Sequence, residues 1–331
     1  MDGFLTQVLN GLDKGGAYAL IALGLTLIFG TLGVVNFAHG ALFMLGAFCA
    51  VTVNFFLTTE VVKIDPERLS PWGTPLEIRT PAIYEWMGED MGAWMIEWSV
   101  PLSILIAIPF MLMVGFAMER WLIRFFYKRP HADQILVTFG LAIVIQEIIK
   151  AMYGANPIPQ TAPSALGGTM DLFGISYPAW RIVYFVFSLS IIGAVMAFLQ
   201  FTTFGMVVRA GMADRETVTL LGINIERRFT IVFAIAAVVA GLAGLMYTPT
   251  LPPDYHLGMD FLVLSFVVVV VGGMGSIPGA VAAGFLLGIM QSFAATTGIQ
   301  GLDQIIIYLI AVIILLTRPR GLMGRKGVME V

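Results

Sequence analysis

Cysteine occurs once in the 331 residues, as Cys49, histidine three times, and charged side chains supply only 12% of the chain. A lone cysteine excludes an intrachain disulfide framework and any metal or cluster site built from several thiolates, and leaves the redox compartment open. The three histidines, His39, His131 and His256, fall in separate segments at no metal-ligand spacing. There is no G-x-x-x-x-G-K phosphate loop, no His-Glu-x-x-His and no Gly-x-Ser-x-Gly, so motif-borne enzyme chemistry has no foothold. A formal charge of -3 and a pI near 5.6, with no basic stripe, speak against nucleic-acid binding. Average soluble domains carry about 25% charged residues, so no large soluble domain fits either.

What the sequence has in excess is apolar surface: 58% of residues are hydrophobic by type and the mean hydropathy is +0.90. A helix needs about 20 apolar residues to cross a hydrocarbon core of about 30 Å. Runs of that kind lie near 15–33, 36–57, 99–119, 134–153, 181–203, 229–250, 260–273, 279–297 and 302–317, which makes nine crossings. The run 260–273 is short and ends in Gly272, Gly273 and Gly275, as a broken or tilted helix would. The first run follows Asp13 and Lys14 without the layout of a signal peptide, so it reads as a retained helix. Helices are favoured over a barrel because unpaired backbone groups in lipid cost several kcal/mol each, and stretches such as Phe266 to Val271 lack barrel alternation. The expected fold is therefore all-α, a polytopic transmembrane bundle in one domain over 1–331.

Twelve of the eighteen basic residues sit in three segments: Arg120, Arg124, Lys128 and Arg129; Arg209, Arg215, Arg227 and Arg228; Arg318, Arg320, Arg325 and Lys326. Nine alternating spans put all three on one face, which the positive-inside rule makes cytoplasmic. The N-terminus is then expected outside and the C-terminus inside. The outer face carries the stretch 58–98, with acids Glu60, Asp65, Glu67, Glu77, Glu85, Glu89, Asp90 and Glu97 against Lys63, Arg68 and Arg79. It also carries Gly154 to Trp180. Trp72, Trp86, Trp94 and Trp98 in the longer stretch suit anchoring at the membrane interface, and its acids suit either guidance of a binding protein or plain solubility.

A gradient-driven carrier would bury ionisable groups within its spans, and Glu147 beside Gln146 is the best candidate; its structural reading is a helix-end pair with Lys150. Asp303 opens the last span, where an acid complements the helix dipole. The segment 205–228 is too charged to cross, yet Met212, Val218, Leu221 and Ile223 are spaced to line one face of a short helix that Asp214 would cap, with Arg215 and Glu216 exposed beside it. It reads either as a stiff loop on lipid headgroups or as a knob docked in a partner. Among 36 glycines, Gly11/Gly15, Gly275/Gly279 and Gly284/Gly288 repeat at four residues, which lets helices approach closely. Two stretches join glycine to polar residues. Gly30 to Gly40 turns between the first two spans on the inner face with Asn36 and His39 at its end, and GGMGSIPG carries Gly272, Gly273, Gly275, Ser276, Pro278 and Gly279. Breaks in membrane helices are tolerated where they line a cavity or are buried in protein, so Asn36, His39, Gly40 and the second break are pathway or hinge candidates; tight cytoplasmic turns are the alternative.

The stretch from Gly15 to Phe48, the loop RAGMADRETVTLLGIN (Arg209 to Asn224) and VVVVVGGMGSIPGAVAAGFLLG (Val267 to Gly288) together resemble the LivH-type permease subunits of branched-chain amino acid importers of the ATP-binding-cassette class. The urea importer permeases look similar. The resemblance implies an inner-membrane core of two related permeases, two cytoplasmic ATPase subunits that bind the ATP and magnesium, a periplasmic solute-binding protein, and no cofactor or catalysis on this chain. Through it, Arg209, Ala210, Gly211, Asp214, Arg215, Glu216, Leu221, Gly222 and Asn224 become the expected ATPase-coupling loop. The outer insertion 58–98 is longer than the family pattern, which leaves a urea or short-amide substrate as an alternative to a branched-chain amino acid. From other classes, the rivals are a gradient-driven carrier using Glu147 and a membrane-embedded enzyme, for which no clustered constellation exists.

Overall fold

In the computed structural model, residues 2–69, 73, 75–127, 129–172, 174–299 and 301–324 are described. Trp72, Lys128, Arg325 and Lys326, and the side chains of Asp65, Glu67 and Arg68, lie outside the described part. The chain begins with α1 (Asp2–Leu32) and α2 (His39–Thr58), continues through a hairpin of β1 (Glu60–Leu69) and β2 (Pro75–Pro81), and then forms α3 (Ile83–Met87), α4 (Glu89–Glu97), α5 (Ser99–Trp121) and α6 (His131–Tyr153). A short α7 (Ser164–Gly167) and a second hairpin, β3 (Thr169–Leu172) with β4 (Ile175–Pro178), precede α8 (Ala179–Phe201). The last third holds α9 (Thr203–Ala213), α10 (Arg215–Leu220), α11 (Ile225–Tyr247), α12 (Leu257–Gly272), α13 (Ile277–Ala295) and α14 (Leu302–Thr317).

Seven of these helices are long and apolar enough to cross a membrane: α1, α2, α5, α6, α8, α11 and α13. The remaining two expected crossings are the apolar helices α12 and α14, of 16 residues each. At 1.5 Å per residue they span about 24 Å, short of the bilayer core. The loops nevertheless sort into two sets. At one end Ile158 donates its N–H to the Pro253 carbonyl at 3.0 Å, Ser164 binds Glu97, and Arg181 reaches Asn10. At the other, Arg124 meets Glu226, the Gly30 Cα faces Gly275, and the 318–324 segment pairs with the end of α12. This is the sorting that alternating crossings require.

Helix α1 is the centre of the bundle. Its Gly11, Gly15 and Ala19 lie antiparallel against Ile289, Phe285 and Gly284 of α13, so two of the four-residue glycine repeats read in the sequence face each other. A Cβ on Gly15 would stand 2.8 Å from the Phe285 Cα, and one on Gly284 would stand 2.7 Å from the Ala19 nitrogen. Beside this seam, Phe43 stacks on Phe261 at 4.5 Å and Tyr247 meets Phe261 edge-on at 5.8 Å. Such pairs add about 0.5–1.5 kcal/mol each beyond their burial.

Two expectations are corrected. Helix α1 starts at Asp2 rather than near 15, so Asp13 and Lys14 are inside it; the buried Asp13 is offset by Arg181 of α8. Helix α11 starts at Ile225, capped by Asn224 whose Oδ1 accepts from the Arg227 N–H at 3.0 Å, so Arg227 and Arg228 belong to its first turn rather than to a loop. The stretches 58–98 and 154–180, whose folding the sequence leaves open, each contain a β-hairpin: Pro75 and Pro81 bound one strand, and Gly174 turns at φ +82° between the strands of the other.

Candidate functional site

Between α8 and α11 the chain builds a compact projection. The Thr202 hydroxyl caps α9 by accepting from Gly205 N–H at 3.1 Å, and the Arg209 guanidinium binds the Leu199 carbonyl at the end of α8. Helix α9 stops at Asp214, which leaves the helical conformation (φ −152°, ψ 97°) and starts α10. Its carboxylate accepts from Thr217 N–H at 3.0 Å and from the Thr217 hydroxyl at 2.5 Å, and these bonds hold its pKa below the usual aspartate range. Gly222, at φ +80°, then reverses the chain toward α11.

Val218, Ile225 and Phe229 form a small core under the projection, and Gly211 fits against Ile225 and Phe229. Arg215 lies over the Phe229 ring at 5.5 Å and 3.6 Å from Glu226, whose other carboxylate oxygen takes Arg124 at 2.5 Å. Capping by Asp214 is as expected, but the single helical face is not. The extended backbone at Asp214 resets the helical phase, so Val218 turns inward while Leu221 turns out beside Leu220, at 73% and 82% exposure. Of the expected loop residues, Arg209, Ala210, Asp214, Arg215, Glu216, Leu221, Gly222 and Asn224 are exposed and Gly211 is buried packing.

The turn from 33 to 38 does not lie on the inner surface; it folds back into the bundle. Asn36 and His39 are completely buried. The Asn36 Oδ1 accepts from Ala38 N–H at 3.0 Å, and Phe37 N–H donates to the Thr138 hydroxyl of α6 at 3.0 Å. The His39 ring fills the notch left by Gly24, two turns from the C-terminal end of α1, with the Ile21 carbonyl near it but outside hydrogen-bond geometry. Gly40 lies so close to the Gly258 carbonyl that no Cβ fits between them.

The second break is built differently. Gly272 packs on Gly279, Ser276 caps α13 through Gly279 N–H at 3.3 Å, and Pro278 sits in the first helical turn where its missing N–H costs nothing. Gly273, at φ +102°, lies against the backbone of Arg320 and Gly324, while Leu322 and Met323 donate to the Val271 and Gly272 carbonyls at 2.8 and 3.0 Å. Gly30 has the Met212 methyl of α9 on one side and Gly275 on the other. The projection, the C-terminal end of α1 and the α12–α13 break thus meet at one point.

Glu147 is exposed and 3.9 Å from Lys150, the helix-end pair rather than a buried carboxylate. Asp303 lies in the first turn of α14 and accepts from Gln291 at 3.2 Å. Two buried acids escaped the sequence reading. Glu119, in the last turn of α5, accepts from the Tyr127 hydroxyl at 2.6 Å, and burial, reinforced by this bond, pushes the phenol pKa up. Asp13 sits with Arg181, Asn10 and Tyr177 at the end of the bundle that carries the two hairpins. The signal was available in both cases, an acid at the margin of an apolar run, and the partner distant in sequence was not.

The sequence matches the family described as branched-chain amino acid transport system, permease component, over residues 7–315. It is 29% identical to the high-affinity branched-chain amino acid transport system permease protein BraD of Pseudomonas aeruginosa, covering 99% of this chain and 98% of that one. Identity to the LivH permease protein of the corresponding Escherichia coli system is 26%, with 99% and 98% covered. A probable LivH of Methanocaldococcus jannaschii is 25% identical over 92% of this chain and 88% of its own. No solved structure matches significantly.

Proposed function

The chain belongs to the permease components of branched-chain amino acid transport systems, a multi-pass membrane family, and from that premise we propose the following assembly and mechanism. The protein forms half of the translocation path of an ATP-binding-cassette importer in a bacterial inner membrane, with its N-terminus outside and C-terminus in the cytoplasm. A second, related permease completes the path, two cytoplasmic ATPase subunits carry the ATP and magnesium, and a periplasmic binding protein delivers a branched-chain or similar aliphatic amino acid. The names of the BraD and LivH relatives favour that cargo over urea or a short amide.

The observation that carries the coupling reading is the projection from Thr203 to Asn224: a capped, ion-paired element that turns Leu220 and Leu221 away from its own core. An exposed apolar pair on a rigid base suits a pocket in a partner. Closure of the ATPases would press on α10, and Met212 would pass the movement to Gly30 and Gly275, with the breaks at Gly40 and Gly272 to Gly279 acting as hinges in alternating access.

The test is purification of the tagged chain from its native membrane in mild detergent and mass spectrometry of what accompanies it. Two ATPases and a second permease are the expected companions; a chain that emerges alone or only with copies of itself overturns the assembly.

A further inference from the structure

Asp13 and Arg181 do not make the contact that two opposite charges packed together in a membrane protein ordinarily make. The Asp13 side chain is 3% exposed, yet its closest approach to Arg181 is 3.9 Å from Oδ2 to Nε, and its Oδ1 is buried with no hydrogen-bond partner. The guanidinium gives its Nη1 donor to Asn10 Oδ1 at 2.8 Å, which the Tyr177 hydroxyl also reaches at 3.2 Å. A pair selected to lock α1 to α8 would close two short parallel bonds between fork and carboxylate. An ionisable residue inside a spanning helix is costly and by default marks a functional site, and leaving one carboxylate oxygen unpaired raises that cost further.

The surroundings name the ligand chemistry. Arg181 is 36% exposed and covers the buried acid from the outer side. One turn further into the bundle, Tyr184 meets Gly16 of α1 and has the Tyr247 ring 5.0 Å away. The site therefore offers an anion, a cation that can swing, and an aromatic wall beyond them.

We propose that Asp13 and Arg181 form an outer solute site for a zwitterionic amino acid: the unpaired Asp13 oxygen takes the ammonium, Arg181 swings from Asp13 to the carboxylate, and the aliphatic side chain lies toward Tyr184 and Tyr247. In the state described here the site is closed on itself, with Arg181 held beside the other Asp13 oxygen, Oδ2. This rests on the amino acid cargo of the reading above and adds the residues that receive it.

The experiment is saturation-transfer difference NMR of millimolar leucine on the permease complex in nanodiscs. The wild-type complex should give a leucine methyl signal, while leucinamide, which lacks the carboxylate, and 4-methyl-2-oxopentanoate, which lacks the ammonium, should each bind at least about tenfold more weakly, the scale of one charge-assisted hydrogen bond. Asp13→Asn and Arg181→Gln should abolish the leucine signal, and Arg181→Lys should retain part of it. The analogue comparison needs no variant, so a misfolded variant does not spoil the test. No signal at saturating leucine, analogues equal to leucine, or a signal untouched by both substitutions overturns the site. Because the ATPases are sought in a separate purification, loss of this site leaves the importer reading standing, and their absence strikes that reading alone.

Discussion

At the scale of single residues, Gly222 and Asp214 control the projection. Gly222 is exposed at φ +80° with nothing within 4 Å of an added Cβ, so a side chain there meets only backbone strain. A β-branched residue in that region costs on the order of 1–3 kcal/mol, confined to the reversal after α10. Gly222→Val should leave the thermal unfolding of the purified permease nearly unchanged while uptake falls relative to ATP hydrolysis, and Gly222→Asn, which tolerates left-handed backbone, should recover part of the loss. Normal coupled uptake in Gly222→Val would remove the projection from the mechanism. Asp214 adds a dependence on pH. Its folded-state pKa lies below the usual 3.8, so its cap is fully in place above that value and is lost as the pH falls through the lowered one. Once corrected for the intrinsic slowing of amide exchange in acid, the protection of the amides across 203–224 should fall below about pH 4. Asp214→Asn, a neutral cap, should abolish that acid dependence, and Asp214→Ala should exchange quickly at every pH; identical exchange in all three proteins would mean that the cap does not hold the element.

At the scale of elements, the spans were legible because burial in lipid leaves one signal, a long apolar run, and the glycine repeats were legible as approach points. Their partners were not: Gly11 and Gly15 find Phe285, Gly288 and Ile289 some 270 residues away, and four-residue spacing states only that a face is small. The sequence left the turn at Asn36 and His39 open between a break buried in protein and a tight surface turn, because a glycine-rich, polar stretch looks alike in either setting; its two polar side chains are buried. The outer insertion gave no periodicity over its hairpin, yet its helical part carries one. Met91, Trp94 and Trp98 recur at helical spacing along α4 and its end, the first two exposed, and Trp94 stacks with Trp98 at 6.3 Å. Trp86 meets Phe56 at 6.3 Å, and the exposed apolar surface runs on to Leu105 and Ile106 of α5. A stripe continuous with the face of a spanning helix, and rich in tryptophan, belongs at the headgroup level. A variant with Trp94 as its one tryptophan should be quenched by lipids brominated near the carbonyl region and shielded from aqueous iodide. The reverse pattern would place α4 in water, free for a binding protein.

For the whole molecule, the charge rule and the pairing of loops are independent statements about the same topology. Arg124 and Arg215 share Glu226, and Arg320 lies against Gly273, so the three basic segments share one end of the bundle for reasons unrelated to counting charges. Geometry sorts the loops into two faces and is indifferent to which one is cytoplasmic; only the basic residues choose. The scarcity of cysteine makes that choice measurable. Cys49 is buried in α2 and contributes little background to thiol labelling. Arg129 and Asp171 are exposed at opposite ends, on the α5–α6 connection and the second hairpin. In right-side-out vesicles a membrane-impermeant maleimide should label Asp171→Cys at once and Arg129→Cys only after permeabilisation. The opposite order would invert the chain in the membrane, put the projection of Leu220 and Leu221 outside, and remove it from the reach of any ATPase, so this one labelling order bears on orientation and on coupling together.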